Sequence, residues 1–434
     1  MIFSKFEKVI SEFLRRYPKL RNNMKLIYQR IIYFLALISG GNKNFENMVD
    51  IKCVYSKEKE HFFGYYDKSP WDSDGRYILT LQVLFSDRHP KKADKATIGM
   101  INIKENNTDS FITVTETKTW NLQQGAMLHW LGPSFKDKII YNDLQNGQYI
   151  SVIYNLKTKT EKIIERPVYS VSKNGKFALS LNFSRLHRLR PGYGYANIPD
   201  NTEDQLHPAD DGIWYVDLEK NESRLIISLD QIANYDWDKT MEEAEHRFNH
   251  IDINPDGTRF SFLHRWDYKN ETYSRLFTAD IHGENIYCIA NDKMVSHSCW
   301  KNNKQILVWC RQENIGDKYY LFTDQTDIRE IIGDNILTQD GHPSYSPDGR
   351  YILTDTYPDR KRMRTLIIYD TIKNKRYDIA KLFAPFKYDG EVRCDLHPRW
   401  SRDGKQICFD SVHEGNRQLY VIDNPLIDSD KGEK

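Results

Sequence analysis

The stretch 345–357 reads YSPDGRYILTDTY: an aromatic residue, three polar or turn-forming residues, a glycine and then a run of strand-forming residues. Asp-Gly between apolar segments supplies the positive φ of a tight hairpin, so the stretch predicts two antiparallel strands joined at Gly349. The same frame recurs as WDSDG (71–75), VSKNG (171–175), INPDG (253–257) and WSRDG (400–404), and less closely as WLGPS (130–134) and WKNNK (300–304). That makes seven units, at spacings of 59, 41, 82, 47, 45 and 55 residues. Strand-like runs such as RYILTLQVLF, KFALSLNF and KQILVWC follow the turns, and further strand pairs such as SRLFTADIHGENIYCIA follow those. Four short strands per unit, repeated seven times, predict an all-β chain folded as a seven-bladed β-propeller over residues 50–434.

Composition agrees. A chain of 434 residues with 39% apolar and 28% charged side chains, and a mean hydropathy of −0.69, can bury a large core. Disorder and polytopic membrane classes are excluded. Helical periods are missing between the strands, except near residues 1–36 and 239–246, which excludes a parallel α/β fold. Lys plus Arg number 62 against 61 Asp plus Glu, so no generic basic surface exists and no nucleic-acid partner is expected. The six cysteines form no CxxC pair and sit mostly in apolar runs such as QILVWC, as small core residues of a reducing compartment.

The charge balance hides a basic arm. Residues 1–41 carry eight Lys and Arg against Glu7 and Glu12, a local charge of +6. The longest apolar run there, Ile31 to Ile38, is eight residues, where a spanning helix needs about 20. Residues 1–49 are therefore expected to be a helical arm that rests on a membrane surface or a partner protein, or packs on the body. Read from Met24, MKLIYQRIIYFLALISGG has the basic start and short apolar middle of a signal peptide, whereas from Met1 the leading polar region is too long. The expected location is cytoplasmic, peripheral at the inner membrane face.

Seven places before each turn glycine, or its equivalent, the residues are Lys68, Met127, Val168, His250, His297, His342 and His397. Four consecutive units share histidine at one register in a chain with 13 His in all. In a propeller that register lies near one mouth of the central channel, so the four imidazoles are expected around one arc of it. Neutral imidazole suits transition metals, and three with an open position make a catalytic-type site; the plainer alternative is that each His bonds a neighbouring strand. The strands leaving the turns end at the same mouth in His264 and Arg265 and in Tyr357 and Arg360. The 82-residue interval holds the insertion LHRLRPGYGYANIPDNTEDQLHPADDG, with Arg185 just ahead of it and Arg188, Arg190 and Tyr193 within it. With Asp340, Asp395 and Arg399 nearby, these define a funnel fit for an anionic sugar, because Arg holds carboxylate bidentately and rings stack on sugar faces. Inter-blade ion pairing is the competing account of the same residues.

The YSPDG and WSRDG turns resemble those of TolB-type propellers, and the His-bearing blades resemble oligogalacturonate lyases. That second resemblance implies a seven-bladed propeller that cleaves uronate oligomers with a divalent metal, manganese more readily than zinc. It implies His250 as the catalytic His, His297 as the first metal ligand, and Gln339 and His342 as the start of a Gln-x-x-His-x-His ligand segment. Ser344 stands where the last His belongs, and His397 from the next blade is the candidate replacement. The lyases also use an Arg, for which Arg185, Arg188 and Arg190 are the candidates. HFFGYYDKSPW (61–71) and RPGYGY (190–195) lie outside the lyase pattern and resemble propeller proteins encoded beside bacterial capsule and exopolysaccharide genes.

Two functions follow. In the first, a metal-dependent lyase removes the proton beside a uronate carboxylate and expels the glycosidic oxygen, with His250 or an Arg such as Arg185 as base and Tyr357 or His264 as acid. His297, His342 and His397, with Gln339, would hold the metal, while Arg188, Arg190, Tyr193, Arg265, Arg360 and Arg399 bind an acidic oligosaccharide or polysaccharide. In the second, the propeller is a non-catalytic glycan- or protein-binding platform of cell-envelope polysaccharide assembly.

Overall fold

The computed structural model describes residues 27, 28, 30, 31, 34, 47–54, 59–104, 111–269 and 271–427. Seven four-stranded antiparallel sheets account for all its strands. Blade 1 spans 60–117, blade 2 129–164, blade 3 170–228, blade 4 246–290, blade 5 295–332 and blade 6 344–383, each built from consecutive strands. Blade 7 is composite: three strands within 399–423 are completed on the outside by Lys52–Cys53, with Lys52 opposite Val421 and Cys53 opposite Tyr420. The repeat locates the hairpin of every blade but not this closing strand, which is only two residues long.

The turn glycines explain why the repeat is readable. Gly75, Gly175, Gly257, Gly349 and Gly404 all have φ between +60° and +75°, which a side chain would oppose. After each turn, alternating side chains of the second and third strands enter the space between neighbouring blades. Ile140, Ile153, Ala178 and Val216 join blades 2 and 3. Leu263, Leu276, Ile306 and Val308 join blades 4 and 5, and Leu353, Leu366, Ile407 and Phe409 join blades 6 and 7. The core is thus a ring of inter-blade seams around an axial channel. All six cysteines are free thiols.

Three segments depart from the regular blade. After Glu60–Phe62 the chain leaves the sheet of blade 1 and re-enters it at Tyr77, so residues 63–70 are not strand. The insertion of blade 3 begins with a helix, Phe183–Leu189, capped by Asn182, whose side chain accepts from the Arg185 N–H. The helical period near 239–246 is realised only as a single 3-10 turn, Lys239–Met241, because His246 already starts the inner strand of blade 4. Of the expected arm, residues 27, 28, 30, 31 and 34 are helical and exposed; the remainder up to residue 46 lies outside the described residues. No helix among the described residues is long and apolar enough to cross a membrane.

Candidate metal centre

The four register histidines turn inward because the inner strand breaks there. Pairing between the first two strands slips between Asn249 and Asp252 in blade 4 and between Val295 and Ser298 in blade 5, so His250 and His297 sit on irregularities that re-aim a side chain. His250 and His397 have φ of 50° and 42°, uncommon for a non-glycine residue. Met127 at the same register has φ 51°, so the bend belongs to the fold, and the histidine placed on it is what differs.

The rings form a continuous arc. Centroids lie 5.9 Å apart for His250 and His297, 4.4 Å for His297 and His342, and 4.4 Å for His342 and His397. The arc closes on Tyr65 and Tyr66, carried into the channel by the segment that leaves blade 1. Tyr65 stacks on His250 at 5.0 Å and meets His397 at 4.8 Å; Tyr66 lies 5.3 Å from His342. The Tyr66 hydroxyl donates to the Ser298 carbonyl at 2.9 Å. Arg399 holds the segment, donating from Nε to the Tyr65 carbonyl and from Nη2 to the Gly64 carbonyl and Asp410. Gly64 is required: at φ +130° a Cβ would lie 2.8 Å from the Gln124 carbonyl.

Within the arc, His342, His397 and Asp395 each bring a ligand atom to within 4.8 Å of the others, the one such set of three among the described residues. Nδ1 of His342 is 2.7 Å from Asp355 Oδ1, and Nδ1 of His397 is 2.9 Å from the Gly64 carbonyl. These acceptors fix the proton on Nδ1 and leave both Nε2 lone pairs free. Both Nε2 atoms and Asp395 Oδ1 are buried without a hydrogen-bond partner. Two orphaned imidazole nitrogens, oriented from behind by acceptors and with a buried carboxylate beside them, fit a divalent cation.

The surrounding charge is layered. Arg393 donates to Asp395 Oδ2 at 2.7 Å, and Arg364 makes an ion pair with Oδ1 at 2.6 Å that is not aligned as a hydrogen bond. Burial opposes ionisation of Asp395, but Arg393 and Arg364 hold its carboxyl well below the usual carboxylate range. Burial and the adjacent His342 hold His397 well below 6.5. For His342, burial pulls the same way, but Asp355, joined by Asp395 and Asp340, outweighs it and the net shift is upward.

Two loops cover this mouth. In the blade-3 insertion, Arg185 is a staple, donating to the carbonyls of His246, Thr202 and Leu206. Tyr193 lies 6.0 Å from His250 and 6.3 Å from Tyr65, and its hydroxyl accepts from Arg393 Nη2 at 2.8 Å. Between them and the loop 384–395 opens a cavity of about 440 Å³ lined by Tyr357 and by Arg190, Arg360, Arg362, Arg364 and Arg393. Tyr357 joins cavity to arc: its ring is 5.8 Å from His342 and 6.4 Å from His297. Burial, then Asp340, keep its hydroxyl protonated far above the ordinary range.

The structure therefore sorts the residues singled out by sequence. It brings His342 and His397 together and places His250, Tyr193 and Tyr357 around them. His297 belongs to the arc, but its Nδ1 meets Asp340 at 2.9 Å and it is outside the three-residue group. Asp395 is the third member of that group. Ser344 lines a cavity at the other end of the channel. Arg185 and Arg399 are committed to the contacts above, which fasten backbone. Arg188 is bound by Asp200 at 3.0 Å and Glu245 at 2.6 Å, and Arg190 faces Glu391 at 3.5 Å. Arg265 touches only the Val295 carbonyl, at 3.4 Å, and burial, then Arg247 and Arg190, lower its pKa. His264 belongs to a separate cluster, its Nε2 2.7 Å from His246 Nδ1 and its own Nδ1 3.2 Å from Arg275 Nη2. Tyr65, Tyr66, Arg364, Arg393 and Asp355 were not among the candidates. Only the Gly-Tyr-Tyr of HFFGYYDKSPW, glycine and aromatics where blade 1 should carry its inner strand, signalled any of them.

No protein-family model and no curated protein matches the chain. In fold it is similar to an oligogalacturonate lyase in complex with manganese, at 15% identity and a TM-score of 0.64, covering 88% of this chain and 94% of that one. It is likewise similar to the oligogalacturonate lyase of Vibrio parahaemolyticus, at 13% identity and a TM-score of 0.61, covering 88% and 96%. A TolB from Acinetobacter baumannii matches at 16% identity over 70% of this chain and 63% of that one, with a TM-score of 0.39. The chain thus has the seven-bladed propeller fold that the oligogalacturonate lyases share.

Proposed function

We propose that the protein is a carbohydrate-active propeller that binds a divalent metal, manganese before zinc, and cleaves a uronate-containing glycan by β-elimination. The observation that carries this is the convergence of His342, His397 and Asp395, with both imidazole Nε2 atoms buried and without a hydrogen-bond partner, beside an arginine-lined cavity. His342, His397 and Asp395 would hold the cation, which supplies positive charge beside the substrate carboxylate and so acidifies the neighbouring C5–H.

The chain's own groups supply the rest. Arg364 and Arg393 line the cavity and orient the carboxylate. Burial, then Arg265, hold His250 well below 6.5, so it is a neutral base, and its bond to the Tyr65 hydroxyl is a long 3.3 Å that can yield. His250 Nε2 takes the C5 proton. The C–H electron pair becomes the C4=C5 double bond, the C4–O4 bond breaks, and the protonated Tyr357 hydroxyl gives its proton to the departing O4. The +6 charge of residues 1–41 supports a second element of this reading, attachment to an anionic membrane face.

The test is incubation with uronate-containing oligosaccharides and Mn²⁺, following the ultraviolet absorbance of the unsaturated product, which hydrolysis does not create. His250→Ala should abolish the signal while metal content persists, whereas His342→Ala should lose both. A panel of acidic oligosaccharides that bind but give no chromophore would replace catalysis with the binding-platform reading.

A further inference from the structure

Beyond Tyr66 the channel opens again, as a cavity of about 380 Å³ that the proposed reaction does not use. Tyr66, Trp300, Tyr345 and Trp400 contribute aromatic walls, and Asp67, Ser69, Asp252 and Ser344 contribute polar groups. Four atoms of these lining residues, Asp67 Oδ1, Ser69 Oγ, Ser344 Oγ and the Tyr345 hydroxyl, are buried with no hydrogen-bond partner. Folded proteins leave few such atoms, because each has given up its hydrogen bonds to water and gained none in return. Their gathering around one cavity calls for an occupant that bonds to hydroxyls and carboxylates.

Charge narrows the class. Asp67 is cancelled by Lys68 at 2.6 Å, and burial, then Asp67, push the Asp252 carboxyl up to about 7, so that it can donate as well as accept. The Arg399 guanidinium is taken by Asp410 and backbone carbonyls, while Arg402 donates to the Trp71 carbonyl and lies 4.0 Å over the Phe135 ring. The arginines at this end are thus engaged elsewhere, and Lys173, an exposed residue, is the remaining cation of the lining. Aromatic faces combined with uncharged donors and acceptors suit the C–H face and hydroxyl edge of a sugar. We infer that this cavity is a binding site for a neutral sugar of about one or two rings, separate from the metal centre.

Glucose, galactose, mannose, N-acetylglucosamine, N-acetylgalactosamine and their disaccharides serve as probes, with galacturonate as the charged control. Calorimetry and melting temperature on the full chain should show at least one neutral saccharide bound in preference to galacturonate. Ser344→Ala and Tyr345→Phe should each weaken it about fivefold or more, while the sugar-free melting temperature stays level or rises, because each removes an unpaired group. His342→Ala should leave this binding intact, so failure of the lyase reading does not touch it. Preference for galacturonate, or no saccharide bound, overturns the inference. So does a lower sugar-free melting temperature in Tyr345→Phe, which would mean that the hydroxyl is already satisfied, for example by water.

Discussion

Two groups of buried histidines lie in this propeller, and burial does not tell them apart. His246 and His264 are fully buried, stacked 4.9 Å apart and backed by Trp266; His342 and His397 are almost as buried and 4.4 Å apart. The difference lies in the nitrogens. In the blade-4 pair one imidazole faces the other, Arg275 faces the far side of His264, and the Met241 carbonyl lies 3.4 Å from His246 Nε2. At the axis, an acceptor takes each Nδ1 and nothing takes either Nε2. The first group has its nitrogens answered from within the protein, and the second leaves two of them open, as the proposed metal site requires.

The largest expected effect tests that contrast directly. His342→Ala or His397→Ala should lower Mn²⁺ affinity by more than about a hundredfold, above the range of an outer-shell change. His264→Ala should keep metal affinity while losing about 3 kcal/mol of stability in denaturant melts, since it leaves a cavity and strips His246 and Arg275 of a partner. Identical behaviour of the two variants would erase the distinction.

Acid sharpens the same point. An unfolded imidazole protonates near 6.5, whereas burial, opposed in part by the Met241 carbonyl, holds His246 at about 4. Between those values the unfolded chain binds the extra proton, so melting temperature should fall as pH drops through that window, and His246→Asn should flatten the slope. Asp355→Asn comes next, weakening metal binding about tenfold to a hundredfold in a titration, because His342 loses the carboxylate that fixes its tautomer. The smallest effect is Tyr193→Phe: with the acceptor of Arg393 removed, substrate KM should rise about fivefold with kcat nearly unchanged.

How far sequence reaches follows the same division. Five of the seven hairpin turns hold a left-handed glycine at a fixed place, and a requirement on one residue is visible in one residue; the blades were legible for that reason, the other two by their spacing. The histidine register was legible because repetition put the side chains at one height. Which nitrogen stays free was not, since it depends on Gly64 and Asp355, set by the path of blade 1 and by the second strand of blade 6. Asp395 was visible as a residue near the mouth, yet its meeting with His342 and His397 required the loop that carries it. Arg185 misled for a related reason: an arginine beside an insertion looks like a ligand-binding group, and here its fork is filled by three backbone carbonyls.

The two-residue strand Lys52–Cys53 has a consequence for orientation. It lies on the outer edge of blade 7, and Met48 just before it is hydrogen-bonded to the Ile379 carbonyl of blade 6. The chain therefore enters the propeller at the rim of the disc and at neither of its flat faces. Residues 47–53 obstruct neither the arginine-lined cavity nor the one at the opposite mouth, and both ends of the channel stay open to a long polymer.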